Sequence, residues 1–558
     1  MGVDVTWLEE RGSFLVRIPF GQSPALDAVK GITGRFWSHL TRGWVVPASE
    51  AKALGELSER LGFEVSEAAR KRIELLDASE AATADELTIP GLRGELRPFQ
   101  RAGVRYALAT RRCFIADDMG LGKTIEAIAA VHAAGAYPAV VVCPAVVKEK
   151  WAAEIKKWSA ESVTIIDGLY RGEEQYKTFK WASWYVINYD ILHSYVEPHF
   201  DRHRAPLERL AIGALVLDES HYIKELTSRR YKACFNLGGW VRENGLILEL
   251  SGTPIKSAPR ELIGQLSVMR RLLEFGGQRA FEDRYCGVSK KLIVKRGKPK
   301  WVRDASGGNN LEELNALLRQ RCMIRRRKVD VLKELPPKVR ALVPTPCDLG
   351  PYREFRDRML EQMAETAGDP SNEVRMTNIG LVARLRNILA ECKLPAIIDA
   401  VDDFFSSAPD EKLVVFCWHK VMARGLAEHY GCGAITGEIG ARERHAAVQA
   451  FQTGPERLIV CQILAGGVGI DLYAASNAYF AELAWTPADL DQAEDREHRI
   501  GQHDSVTAWY HLTPGTLDDR MWRLLERKRN VVGRVTDGIE NELVAELVEE
   551  AVRRKREV

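Results

Sequence analysis

The segment DDMGLGKTIEA, residues 117–127, follows the apolar run CFIA (113–116) and opens what reads as a helix. Few arrangements restrict a chain more. Gly120 and Gly122 let the backbone curl so that successive N–H groups converge on one point, and the helix beyond them adds a dipole that favours an anion there. Lys123 is then placed to reach the β- and γ-phosphates of a nucleotide, and Thr124 offers its hydroxyl to Mg²⁺. The general pattern G-x-x-x-x-G-K-[ST] would put glycine where Asp117 stands, so the strand–loop–helix context carries the reading rather than the string itself. A loop of this kind has to be seated on a buried strand, which predicts an α/β fold with parallel sheets.

The rest of the chain agrees. WYVINY and ALVLDE (214–219) follow in the first half, each spaced from the next by helical stretches. ALVLDESH ends one strand on Asp218 and Glu219: the first is placed to hold Mg²⁺ through water, the second to orient or deprotonate an attacking water. SGTP (251–254) follows the strand LILEL. A second alternation begins with KLVVFCW near Lys412 and continues through RLIVCQI (457–463) and NAYFAEL (477–483), which predicts two α/β lobes. The expected organisation is a small α+β unit at 1–66, a linker at 67–91, a first lobe at 92–270, helical insertions with a basic hairpin at 271–400, a second lobe at 401–540 and a terminal helix at 541–558.

Residues 127–147 lack Lys, Arg, Asp and Glu and are long enough for a bilayer span on length alone. The Ala-rich start, Gly135, Pro138 and the β-branched AVVVC read instead as a buried helix followed by a buried strand. Neither a membrane anchor nor a signal peptide is expected. The ten cysteines form no C-x-x-C pair, so reduced thiols are expected in place of a metal cluster or a disulfide scaffold. With 79 Lys and Arg against 77 Asp and Glu, an anionic partner has to be met by local patches.

With DDMGLGKT, DESH and SGTP in one half and VVFCWHK, AGGVGIDL (465–472) and QAEDREHRIGQ (492–502) in the other, residues 92–535 resemble the Swi/Snf branch of helicase superfamily two. The resemblance implies two RecA-like lobes and a DNA-dependent ATPase that uses ATP and Mg²⁺. It places the adenine-reading glutamine at Gln100 in LRPFQRAGV, beside Arg97. Around the phosphates it implies Asp118, Met119, Gly120, Leu121, Gly122, Lys123 and Thr124 from the first lobe and Gly469 and Gln492 from the second. Lys123, Asp218, Glu219, Arg496 and Arg499 form the expected catalytic set, with Thr124 and Asp218 on the metal. Arg496 and Arg499, three apart, are expected on one face of a helical turn, and Arg499 is the first choice for an arginine that meets γ-phosphate charge. The second lobe departs from the family pattern at Gln462 and Leu464, where small hydroxyl residues are usual, and at Asp471, where asparagine is common.

FEDRYCG (281–287), NLEELNALL (310–318), MIRRRKVDVLKELPPK (323–338) and FAELAWTP (480–487) are similar to the HARP-like annealing-helicase branch. That resemblance implies a translocase that remodels branched or forked DNA and anneals complementary strands. A strand-separating helicase and a remodeller that displaces DNA-bound proteins stay open as alternatives. Residues 289–303 carry seven Lys or Arg and no acid around a turn, a density suited to phosphate contact; Lys290, Lys291, Lys295, Arg296, Lys298 and Lys300 are the candidates. The N-terminal unit, with Trp37 and Trp44, resembles a HARP fork-targeting domain, which makes those tryptophans candidate DNA contacts. The basic run 325–328 fits a lobe junction better than a nuclear signal. A bacterial or phage-infected cytoplasm is the expected setting, or the nucleus in a eukaryote, with protein partners open.

Overall fold

The computed structural model describes residues 2–8, 13–19, 23–32, 35–38, 41–47, 51–70, 72–73, 87–170, 181–197, 205–255, 258–295, 298–305, 307–365, 372–466, 470–499 and 501–536. The expected helix at 541–558, most of the expected linker, Arg296 and Gly469 lie outside them.

The first lobe is a seven-stranded parallel sheet in the order Met323–Ile324, Arg112–Ile115, Leu246–Leu250, Ala214–Asp218, Ala139–Cys143, Trp184–Asn188 and Val163–Ile165. Its central strands are buried on both faces, because helices cover each side and the runs AVVVC, WYVIN and LILEL offer no polar face to water. Residues 127–147 resolve into the end of the helix Lys123–Ala133 and the strand Ala139–Cys143. No helix among the described residues is long and apolar enough to cross a membrane. All ten cysteines are free.

The second lobe is a six-stranded parallel sheet in the order Lys338–Pro344, Val506–Leu512, Asn477–Phe480, Leu413–Cys417, Leu458–Gln462 and Gly433–Ile435. At the N-terminus a separate five-stranded sheet packs two helices, Ser23–Lys30 and Ala51–Leu61, around Val5, Phe14, Val16, Val46 and Leu54. Trp37 and Trp44 face each other across paired strands there, edge to face at 5.7 Å. Trp37 is 44% exposed, while Trp44 packs against the core.

The stretch expected as helical insertions differs in one respect. It contributes a strand to each lobe: Met323–Ile324 joins the first sheet and Lys338–Pro344 the second. Local pattern does not reveal either, since the first has only two residues and the second has no buried face along KVRALVP. The chain therefore crosses between lobes at residues 325–337. The basic hairpin forms as expected, Ser289–Lys295 antiparallel to Lys298–Asp304, and carries Lys290, Lys291, Lys295, Lys298 and Lys300. Arg303 ties its base to Asp283 at 2.7 Å and to Glu282 at 3.4 Å.

The crossing segment is fastened to the first lobe by a buried charge triad. Asp117 and Glu126 are both fully buried, and Arg326 reaches both. Its backbone N–H and Nε each donate to Asp117 Oδ1 at 3.0 Å, and its Nη2 donates to Glu126 Oε2 at 2.6 Å. Burial pushes the Glu126 carboxyl well above the usual range, with Arg326 pulling it back. Two buried carboxylates without their arginine are costly, so Arg326→Leu should destabilise the first lobe by about 3–5 kcal/mol. Denaturant unfolding checks this. The midpoint of the first-lobe transition should fall sharply, and less so for Arg326→Lys; an unchanged midpoint would show that the triad contributes nothing to stability.

Candidate active site at the lobe junction

The loop between Ile115 and Lys123 is held by its glycines from within and by the crossing segment from below. Gly120 and Gly122 sit at φ of +82° and +87°, a region other residues enter at a cost. Space excludes a side chain as well, since a Cβ on Gly122 would lie 2.5 Å from Gln100 Nε2. Asp117, at the position where the general pattern has glycine, is the anchor for Arg326. Asp118 uses both carboxylate oxygens on the same segment, accepting from Arg325 Nη2 at 3.0 Å and from the Lys328 N–H at 2.9 Å. Arg325 also donates to the carbonyls of Ala116 at 2.6 Å and Gly252 at 2.9 Å, which clips the loop to SGTP. Met119 and Leu121 are buried, Leu121 beside Phe99 and Leu332.

Gln100 is drawn into this framework. Its carbonyl accepts the Arg97 N–H at 2.9 Å, and its amide donates to the Leu121 carbonyl at 3.1 Å, so the expected base reader also braces the loop. Arg97 caps the helix Pro98–Thr110 and lies 3.6 Å from Glu334. Lys123 folds over its own loop and donates to the carbonyls of Asp117 at 2.8 Å and Asp118 at 3.3 Å. Thr124 occupies the first turn of the helix, half-buried.

At the end of the strand Ala214–Asp218, Glu219 adopts φ +53°, a left-handed turn that sends the two neighbouring carboxylates in different directions. Asp218 Oδ2 accepts the Trp151 indole N–H at 2.8 Å. Burial raises the Asp218 carboxyl to about 6, and the Glu219 charge raises it too, while Trp151 and Lys123 oppose them. Glu219 lies 3.3 Å from His221 and accepts the Gln492 amide from the second lobe at 3.2 Å. The residues fit a magnesium nucleotide: a glycine cradle, a lysine whose amine donates to loop carbonyls, a nearby hydroxyl, and a carboxylate ionised above about pH 6.

The second lobe supplies its arginines from a turn, a correction to the helical expectation. The helix Pro487–Glu494 ends before either of them, and residues 495–499 continue in short turns. The carboxylates at that end are taken by the crossing segment and the strand that follows it: Lys328 lies 3.0 Å from Asp495, while Lys338 lies 2.8 Å from Glu494 and 3.0 Å from Asp495, and Arg340 lies 2.6 Å from Glu494. Lys328 is itself buried, which draws its ammonium down to about 8 against the pull of Asp495. Arg496 is buried and donates to the Ile470 carbonyl at 3.2 Å. Arg499 packs on the loop so closely that a Cβ on Gly120 would lie 3.1 Å from its own Cβ. Lys123, Asp218, Glu219, Gln492, Arg496 and Arg499 thus converge on one junction. The run 325–328 lies at that junction, as its charge suggested.

Trp151 carries no signal in the sequence, and the charge of the run 325–328 places Arg326 and Lys328 at the junction without revealing their partners. All three act across more than sixty residues of chain. Gln462 and Leu464 show what the departures in the second lobe do: Gln462 ties two loops by donating to the Trp418 carbonyl at 3.0 Å and accepting from the Gly437 N–H at 3.2 Å, while Leu464 is exposed.

Two family models match the chain, one after the other. The SNF2-related domain family matches residues 50–394, and the helicase conserved C-terminal domain family matches 393–501. The chain is 32% identical over 467 residues to the human DNA annealing helicase and endonuclease ZRANB3, covering 82% of this chain and 42% of that protein. It is 32% identical to the Xenopus laevis SWI/SNF-related matrix-associated actin-dependent regulator of chromatin subfamily A-like protein 1, covering 79% of this chain and 45% of that one. With the Caenorhabditis elegans homolog of the latter it shares 31% identity over 93% of this chain and 74% of the relative. The chain therefore spans under half the length of the first two relatives. Among solved structures, the Sulfolobus solfataricus SWI2/SNF2 ATPase core in complex with dsDNA matches at 20% identity over 81% of this chain and 96% of that one, with a TM-score of 0.38, a likeness too low to carry an inference.

The Trp151 hydrogen bond gives a test in pH. A carboxyl near 6 holds its proton increasingly as pH falls, so Mg²⁺-dependent nucleotide binding should weaken as pH falls through about 6. Trp151→Phe removes the bond that favours the ionised form and should move this acidic limb up by about half a pH unit. Fluorescent-nucleotide titration across pH reads it; a limb that stays put or moves down contradicts the assignment.

Proposed function

The chain belongs to the SNF2-related family, and we propose that it is an ATP-driven DNA translocase that remodels branched or forked DNA, including the annealing of complementary strands. The observation that carries this reading is the composite site: Glu219 of the first lobe and Gln492 of the second are 3.2 Å apart, and Arg499 lies against Gly120. A site divided in this way makes the lobe arrangement depend on what the site holds. Hydrolysis can then become relative motion of two DNA-gripping bodies.

In this reading Lys123 exchanges the carbonyls of Asp117 and Asp118 for phosphate oxygens. Asp218 and Thr124 hold Mg²⁺, which when bound neutralises phosphate charge. Glu219 orients the attacking water, with Gln492 and His221 limiting where its carboxylate can point. Arg496 and Arg499 stabilise charge on the transferred group from the second lobe. Gln100 and Arg97 stand where the base would be read, and Gly469 and Asp118 complete the family's nucleotide contacts.

DNA is supported as the partner by the family and by the names of the relatives, one of which is called an annealing helicase. The hairpin lysines at 290, 291, 295, 298 and 300, with Arg296, are proposed to track phosphates. Trp37 and Trp44 are proposed to contact DNA at a branch, Trp37 by its exposed face and Trp44 as its support.

Lys123→Ala and Glu219→Gln should each lower DNA-stimulated hydrolysis by roughly 10²-fold or more, while Glu219→Gln still binds ATP. Arg499→Ala should cut kcat by roughly 10³ with nucleotide affinity little changed. Steady-state rates on single-stranded, duplex and forked DNA check both. Near-normal turnover in Lys123→Ala or Glu219→Gln would contradict the proposed site.

Removal of residues 1–88 should leave hydrolysis on saturating duplex intact and reduce the preference for forks and the rate of annealing, because a tethered module adds local concentration rather than catalytic groups. Full fork preference in the truncated chain would remove the N-terminal unit from targeting. Strand separation without annealing would favour the helicase alternative.

A further inference from the structure

Asp471 stands at the edge of the second lobe with a cation from each side. Its carboxylate forms an ion pair with Arg499 and lies 3.6 Å from Lys150 Nζ of the first lobe. Lys150 belongs to the helix Lys148–Trp158, one residue before the Trp151 that holds Asp218. The Arg499 side chain is only 13% exposed, and burial disfavours its charge, so a counter-charge at this point matters. The Asp471 side chain is 40% exposed.

A carboxylate and a phosphate offer the same paired oxygens to a planar guanidinium, so they compete for it. The Arg499 main chain is already against the nucleotide loop at Gly120, which leaves the choice of partner to the side chain. Resting on the reading of Arg499 as the arginine that meets the transferred phosphate, we propose that Asp471 is a positioning residue that keeps Arg499 from that phosphate until DNA is engaged, with Lys150 closing the contact from the opposite lobe. When Arg499 leaves, Lys150 remains beside Asp471, so the carboxylate is not left without a counter-charge. The pair thereby suppresses idle turnover without weakening the motor once it is on DNA.

The test compares ATPase rates with and without saturating DNA for the full chain and for Asp471→Asn, Asp471→Glu, Arg499→Ala and the double variant Asp471→Asn/Arg499→Ala. Asparagine keeps the volume and removes the charge. It should raise the DNA-free kcat about three- to fivefold, the factor expected from releasing a partly exposed ion pair. The ATP KM should not rise, and the DNA-saturated kcat should change by less than about twofold. Glutamate should restore the low DNA-free rate. In the Arg499→Ala background the asparagine should produce no rise, because its effect travels through that arginine. An unchanged or lower DNA-free rate in Asp471→Asn, or a rise that persists without Arg499, overturns the proposal. If Arg499→Ala alone leaves kcat intact, the assignment of that arginine fails instead, and the two failures are told apart by this single variant.

Discussion

Arg326 is the residue on which the junction depends. Two carboxylates, Asp117 in the nucleotide loop and Glu126 in the helix behind it, are fully buried, and a shared arginine makes that burial tolerable. Because Arg326 belongs to the segment that crosses to the second lobe, the same contact that satisfies the first lobe's interior fixes where the connection begins. Arg325 and Lys328 extend it on either side, one to the loop carbonyls and SGTP, the other to Asp118 and Asp495. A charge path then runs from the phosphate loop through the crossing segment to the turn that carries Arg496 and Arg499. Gly103 belongs to the same arrangement, since a Cβ there would meet the far ends of Glu126 and Arg326.

This path gives the departure at Asp117 a physical reason. A glycine there would leave Glu126 as the one carboxylate of the triad facing Arg326, and the crossing segment would keep only the contacts made through Asp118 and Arg325. Gln100 shows a similar economy: the side chain placed to read a base also fills the space behind Gly122 and holds Leu121. Nucleotide recognition and loop stability therefore share residues. A substitution at either position changes both.

What the sequence disclosed follows the range of the forces involved. Apolar runs such as AVVVC and LILEL, and a glycine loop before a helix, are local patterns, and the corresponding strands and loop stand where the residues indicated. The positions of the proposed catalytic residues follow the same local patterns: Lys123 comes directly after the glycine loop, and Asp218 and Glu219 stand at the end of a strand. The pairings of Trp151 with Asp218, of Lys328 with Asp495 and of Lys150 with Asp471 were not legible, because each joins residues far apart in the chain. The short strand Met323–Ile324 was hidden because two residues have no period. The helix ends at Glu494, so Arg496 and Arg499 stand in the turns beyond it, and the pairing of Glu494 and Asp495 with Lys328, Lys338 and Arg340 joins residues that only the tertiary fold brings near.

One site is built by two lobes, and in the proposed mechanism what it holds sets how they are arranged. The most direct measurement is the distance distribution between one spin label on the exposed surface of each lobe, recorded by pulsed electron resonance without nucleotide, with ADP, and with a non-hydrolysable ATP analogue and Mg²⁺ on duplex DNA. The expected result is a narrow, shortened distribution with the analogue on DNA and a return to the nucleotide-free distribution with ADP. One distribution common to all three states would contradict it.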